Sequence, residues 1–412
     1  MKALGLMTGV ALLAQMEIAG GNDWPQFLGP SRNGDSGTPL PAAAWSKEGP
    51  RVRWHKPIGA GFSGPVVAGK SLLIFHRLDD QEVLECWEAE SGKPKWKNSH
   101  PTAYHDDFGF DEGPRATPTV TENQVFTYGA EGFLRCSDLA SGQTTWSVDC
   151  QKGFGARKGF FGIGSSPLVE ARAVILNAGG KNGAGIVAFD RSTGKVLWKA
   201  TDDEASYSSP VAANFGGRKL ILCVTRTELV SLEPAGGKLI FQFPFSPPIH
   251  SSVTAATPLL IADDIFLSAS YDLGAVMLHV DHDSPRKIWS GADILSNHYA
   301  TSVYSEGFLY GIHGRTDPGL SPEPSLRCIE ARTGKLSWEE KNFGAASVIL
   351  AGKELLIMKE SGELIRAPAA SKGYAPVSRA QVLPNHIRAM PALANGCLFA
   401  RSKDRVFCLD LN

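Results

Sequence analysis

One short phrase recurs six times along this chain of 412 residues, and each time it ends on a large aromatic. It reads Ser91-Gly92-Lys93-Pro94-Lys95-Trp96, Ser141-Gly142-Gln143-Thr144-Thr145-Trp146 and Thr193-Gly194-Lys195-Val196-Leu197-Trp198. It returns as Gly236-Gly237-Lys238-Leu239-Ile240-Phe241, Ser284-Pro285-Arg286-Lys287-Ile288-Trp289 and Thr333-Gly334-Lys335-Leu336-Ser337-Trp338. Self-similarity at a period of roughly 40 to 50 residues marks a solenoid or a propeller.

The grammar around the phrase defines the unit. Glycine supplies the positive φ of a tight turn, and the Ser or Thr before it bonds the local backbone. The aromatic then falls in a short alternating run, which suits a strand. Upstream stands a strand with a small residue, any residue, then an acid. Its copies are Cys86-Trp87-Glu88, Cys136-Ser137-Asp138, Ala188-Phe189-Asp190, Ser231-Leu232-Glu233, His279-Val280-Asp281, Cys328-Ile329-Glu330 and Cys408-Leu409-Asp410. Each unit opens with a further marker, as in Ser63-Gly64-Pro65, Ala116-Thr117-Pro118, Ser165-Ser166-Pro167, Ser208-Ser209-Pro210, Ala256-Thr257-Pro258 and Ala389-Met390-Pro391. Ala300-Thr301-Ser302 and Ala346-Ser347-Val348 are degenerate openers. Proline is tolerated at the start of a first strand, where its missing N–H is not needed.

One unit is therefore four short antiparallel strands, and the openers count eight units. The last, from Ala389 to Asn412, has room for three strands only. Val52-Arg53-Trp54-His55-Lys56 precedes the first opener and supplies the fourth. The expected fold is an all-β, eight-bladed β-propeller over residues 52–412, closed by an N-terminal strand. Closure removes exposed sheet edges. An open β-solenoid gives a split last unit no purpose.

The opener, the small-x-acid strand and the Gly-x-x-x-Trp strand together resemble the PQQ-like β-propeller repeat. That family includes quinoprotein alcohol dehydrogenases and the outer-membrane assembly lipoprotein BamB. The resemblance implies that Trp96, Trp146, Trp198, Trp289 and Trp338 dock one blade against the next. It also brings in PQQ and Ca²⁺ as cofactors. The quinoprotein enzymes cover PQQ with a disulfide between adjacent cysteines, whereas no two of the seven cysteines are adjacent here, and there is no Cys-x-x-Cys-His haem site. No cofactor is therefore assigned.

The 41 basic residues balance 42 acidic ones. With no basic patch and no phosphate loop, a nucleic-acid partner is not expected. Met1-Lys2 and the apolar run Ala3 to Leu13 resemble a secretion signal over residues 1–20, too short to span a membrane. Residues 21–51 form an N-terminal extension. With no cysteine near the signal, the expected protein is periplasmic or secreted, has no lipid anchor, and is a monomer. Cys86, Cys136, Cys328 and Cys408 share one slot of the third strand in different blades, and read as small buried hydrophobes rather than metal or disulfide partners.

Loops before a first strand and between second and third strands share one face. The long connections, Pro101 to Arg115, Gln151 to Gly164, Pro244 to Ala255 and Gly314 to Pro324, all lie there, and function concentrates in loops held by a rigid scaffold. Arg115, His250, Asn297, His298, Tyr299, His386 and Arg388 stand just before first strands, and His313 and Arg315 end a second strand. Phe108, Phe110, Phe160, Phe161 and Tyr207 add aromatic surface. These groups are expected to ring a funnel that takes a polar or anionic small molecule, since Arg grips carboxylates bidentately. The acidic run His105 to Glu112 lacks the ligand rhythm of a calcium loop and reads as a solvated loop. The function expected is a non-catalytic binding or scaffold protein for a small molecule, glycan or protein. The alternative is a divergent quinoprotein oxidoreductase with its site in the funnel.

Overall fold

The computed structural model describes residues 23–249, 252–317, 319 and 322–412. The expected signal peptide and His250 lie outside them. Eight four-stranded antiparallel sheets follow one another in chain order. Blades 1 to 7 span residues 66–101, 119–149, 168–200, 211–244, 259–291, 303–340 and 346–381. Blade 8 takes Ala392–Ala394, Cys397–Arg401 and Arg405–Asp410 from the C-terminus and adds Arg51–Pro57 as its outer strand. Trp54 pairs with Cys408 and His55 with Phe407, after a bulge at Val52 to Trp54. Arg51 and Arg53 both reach Asp410, at 3.1 and 2.9 Å. These contacts, Arg53 foremost, hold the Asp410 carboxyl well below the usual carboxylate range.

Burial explains the strand patterns. Second strands such as Ser71–Leu78 are covered on both faces and are nearly continuous in apolar residues. Outer strands such as Pro94–Pro101 alternate exposed and half-buried positions.

The repeated phrase works at every junction where it is intact. Each indole N–H donates to a carbonyl in the last turn of the next blade: Trp96 to Leu139, Trp146 to Arg191, Trp198 to Pro234, Trp289 to Ala331 and Trp338 to Ala370, all at 2.8–2.9 Å. Trp54 does the same toward Glu90, carrying the contact across the closure. The turn glycine of the next blade lies on the indole face of Trp54, Trp96, Trp146, Trp198 and Trp289, and Trp338 has none among the described residues. A Cβ on Gly142 or Gly237 would come within 2.4 Å of Trp96 or Trp198. So glycine is required there twice, for its positive φ and for the ring it covers. Blade 4 carries Phe241, and blade 5 carries Pro285 at the glycine position: both halves of the device are lost together. The acid of the preceding strand holds the turn, as Ser141 Oγ and N–H both donate to Asp138.

Openers of neighbouring blades are tied to one another at four junctions around the axis. The Gly64 N–H donates to Thr117 Oγ1, Thr117 N–H to Ser166 Oγ, Ser166 N–H to Ser209 Oγ, and Thr257 N–H to Thr301 Oγ1, at 2.9–3.1 Å. The hydroxyl of the opener is thus the seam between inner strands. Blades 1 and 2 also share a buried carboxyl: Glu82 accepts from the Ala130 N–H at 2.7 Å, and burial pushes its pKa up to about 7.

The N-terminal extension occupies the axis. Trp24 pairs with Val67 on the inner strand of blade 1, and Pro25 O accepts from Val120 N–H in blade 2. Arg32 donates to Ser166 O and Pro167 O at blade 3. Ser36 N–H donates to Leu350 O in blade 7, and Leu350 N–H returns to Gly34 O. Contacts with four inner strands around the ring place residues 24–36 inside the channel as a plug. Trp24 is 1 % exposed. The Arg32 guanidinium is buried among carbonyl and amide oxygens, and burial lowers its pKa to about 9. The chain then leaves along blade 7, where Arg366 holds Ala43 O and Ser378 Oγ accepts from Trp45 N–H.

Candidate ligand-binding site

Above the plug, on the loop-rich face, a cavity of about 200 Å³ opens on the axis. Phe27 enters it from the N-terminal segment. Phe62, Arg115, Tyr207, His298, Tyr299 and Arg388 enter it from the approaches to first strands, and Tyr271, Thr316 and Asp317 from turns between second and third strands. Phe110 and Phe161 close one side. Behind them Phe108 stacks on Phe161 at 5.1 Å and stands 56 % exposed. Tyr207 fixes this wall, its hydroxyl accepting from Phe161 N–H at 2.9 Å.

The lining is aromatic, and its cations are already partnered. Arg115 pairs with the buried Asp106 at 3.1 Å and lies over Tyr104 at 4.9 Å. Arg388 pairs with Glu360 at 2.7 Å and lies over Phe110 at 5.5 Å. Arg315 pairs with Asp317 at 2.8 Å and lies over Tyr271 at 4.4 Å. Each guanidinium is thus sandwiched between a carboxylate and a ring face, a geometry that arginine favours over lysine. The charge sensed in the cavity is a set of dipoles rather than a cationic rim. Asp106 explains the acidic run: its carboxylate accepts from the N–H groups of Phe108, Phe110 and Asp111. The run is a loop folded around an internal anchor rather than a solvated one.

Of the nine polar residues proposed from sequence, His250 lies outside the described residues, and Arg115, His298, Tyr299 and Arg388 meet in the cavity. Arg315 backs Tyr271 from outside. Asn297 is buried in blade 6, donating to Ile312 O and accepting from Ser302 Oγ. His313 accepts from Ser296 N–H through Nδ1 and faces Asp293 through Nε2, away from the axis. His386 is exposed, with a positive φ of 68°. Proximity to an opener placed Asn297 and His386, and the end of a second strand placed His313; the turn geometry directs all three elsewhere. Phe27, Phe62 and Tyr271 were missed. Phe62 stood directly before the first opener, as Arg115 and Arg388 do before theirs, and Phe27 lay in the segment Trp24-Pro25-Gln26-Phe27-Leu28 of the extension; Tyr271 carried no such signal.

Repeat, closure and funnel can be compared with known proteins. A family model described as outer membrane protein assembly factor BamB matches residues 36–149 and 79–340. The chain belongs to the PQQ-like β-propeller family. No curated protein matches its sequence. Among solved structures, BamB from Moraxella catarrhalis superposes with a TM-score of 0.63 at 13% identity, covering 87% of this chain and 97% of that one. Quinohemoprotein alcohol dehydrogenase from Comamonas testosteroni gives 0.66 at 13%, covering 95% and 80%. The computationally designed protein Ika8 gives 0.59 at 10%, covering 86% and 98%. An assembly factor, an enzyme and a design share this PQQ-like propeller, so the likeness speaks for fold alone.

The family includes PQQ enzymes, so the fit of that cofactor was tested against the residues present. The cavity is lined by phenylalanine and tyrosine rings and by no cysteine, and the seven cysteines are all free and buried. Among the described residues no group of three or more His, Cys, Asp or Glu side chains is placed to hold a metal ion. These donors do not fit a Ca²⁺-held quinone.

Proposed function

We propose that this PQQ-like propeller is an exported, non-catalytic binding protein whose loop-rich face takes a small ligand into the axial cavity. The observation that carries the reading is the cavity itself, aromatic on its walls and backed by the plug. Apolar walls with a few convergent polar groups are the usual make-up of a small-molecule site. The export reading rests on the charged and apolar start of the chain, Met1 to Leu13. Among the described residues no helix is long and apolar enough to cross a membrane. The protein is proposed to act as a monomer in the periplasm or outside the cell.

Thermal-shift titration with aromatic carboxylates, monosaccharides, and PQQ with Ca²⁺ tests the reading. A saturable rise in melting temperature with aromatic acids supports it. A response to sugars alone points to a glycan site. Dye reduction upon reconstitution with PQQ and Ca²⁺ makes the protein an oxidoreductase and overturns the non-catalytic reading. N-terminal sequencing of the protein from a periplasmic fraction tests export.

A further inference from the structure

Tyr271 belongs to the turn between the second and third strands of blade 5. Its φ is +60° and that of Asp272 is +64°, so two consecutive non-glycine residues sit in the left-handed region. A large aromatic is rare there, and such strain persists where the surroundings impose it. Here the ring is 8 % exposed, edge-on to His298 at 5.4 Å and covered by Arg315.

The hydrogen bonds around His298 fix where its proton sits. The Thr316 backbone N–H points at His298 Nδ1, at 3.3 Å, and a backbone N–H can only donate. Thr316 Oγ1 is 2.6 Å from the same nitrogen. Nδ1 therefore carries the lone pair, and in the neutral ring the hydrogen is on Nε2. Nε2 lies 3.0 Å from the Tyr271 hydroxyl, which must accept from it. The ring stays neutral because burial pushes its pKa down to about 4. The charged and titratable groups that face it are Asp317, Arg315, Arg388 and Tyr271 itself. With its oxygen accepting from His298, the Tyr271 hydroxyl keeps its own hydrogen to donate.

We propose that Tyr271 Oη–H is the orienting donor of the axial cavity, held by His298 in its Nε2–H tautomer, so that the site selects ring-bearing ligands with a carboxylate or carbonyl oxygen at that point. This deepens the binding reading above and rests on it. Tyr271 is a binding residue. His298 and Thr316 are positioning residues. A ligand presenting an ammonium there would meet a donor, although Asp317 lies nearby, because Arg315 holds that carboxylate.

The test uses benzoate and benzylammonium as probes on the full chain, with affinity read by calorimetry. Wild type should bind benzoate more tightly than benzylammonium. Tyr271→Phe should weaken benzoate by about ten- to a hundred-fold, the effect of losing a hydrogen bond to a charged group. Benzoate affinity should stay flat from pH 5.5 to 8, since His298 is neutral throughout. Equal benzoate affinity in wild type and Tyr271→Phe overturns the assignment and leaves the binding reading standing. Affinity that rises as pH falls through about 6.5 makes an imidazolium the anchor and also overturns it. Absence of any response to either probe in wild type overturns the binding reading itself. Should Tyr271→Phe fail to fold, the probe comparison and the pH profile on wild type still decide.

Discussion

The periphery and the axis of this propeller are built by different rules. At the periphery one device, an indole N–H on a turn carbonyl, is repeated at six junctions, five of them with a glycine over the ring. At the axis the lining changes from blade to blade, and an extension from outside the repeat fills the channel. The repeat has to be identical because each blade meets an equivalent neighbour, and stability is close to a sum of like interfaces. The axis is free to vary, because each residue there faces the cavity and not a copy of itself.

The sharpest break of this comparison is to remove what joins the two regions. Deleting residues 1–58 takes away both the plug and the outer strand of blade 8, leaving sheet edges exposed. Loss of cooperative unfolding is expected. A protein that melts at the wild-type temperature would show that the closure carries no stability.

Within the periphery, Trp198→Ala should cost about 3–5 kcal/mol by denaturant titration, the range for a large buried aromatic. The partner glycine gives a control. Gly237→Ala drives a Cβ into the Trp198 ring, whereas Gly373→Ala meets nothing within 4 Å. Gly373→Ala is expected to stay within about 0.5 kcal/mol of wild type, and Gly237→Ala to exceed it clearly. Equal costs would remove both reasons for glycine at the turn.

At the axis the arginines separate by burial. Arg115→Ala leaves the carboxylate of Asp106 buried and unpaired, which should cost about 3–5 kcal/mol. Arg315→Ala breaks a pair that solvent reaches, worth about 0–1 kcal/mol. If both variants melt alike, the Asp106 anchor is not what shapes this wall.

A pH dependence is also expected at the junction of blades 1 and 2. The folded pKa of Glu82 is raised from 4.5 to about 7 by burial. A carboxyl with a raised pKa binds its proton more tightly in the folded state, so its contribution is full below the unfolded value and is lost as pH rises through about 7. Melting curves of wild type and Glu82→Gln should therefore diverge as pH rises from about 4.5 to 7, with the variant the flatter. Parallel curves would place Glu82 in water.

The same contrast explains what could be read from sequence. Eight openers, the recurrent Gly-x-x-x-Trp strand and the orphan strand at Val52 to Lys56 carried the whole ring, because a period repeats its signal and one blade corroborates the next. The cavity had no such support. Asn297 and His386 stood beside openers as His298 and Arg388 do, His313 ended a second strand, and only turn geometry separates those that enter the cavity from those that do not. Tyr271 lay in a turn with no mark but Asp272-Leu273-Gly274 beside it. Phe27 belonged to a stretch outside every repeat.

The plug and the closing strand also set the order in which this chain can finish folding. Trp96, Trp146 and their like reach partners some 32 to 45 residues away, so neighbouring blades can dock as they are made. Arg51 waits 359 residues for Asp410. Chain closure scales only with the logarithm of loop length, so that long wait adds about 2 kcal/mol of entropy over a neighbour contact. The obstacle is time rather than energy. The strand Arg51–Pro57 stays without its partner until the last residues exist, and the molecule is an open string of blades until then.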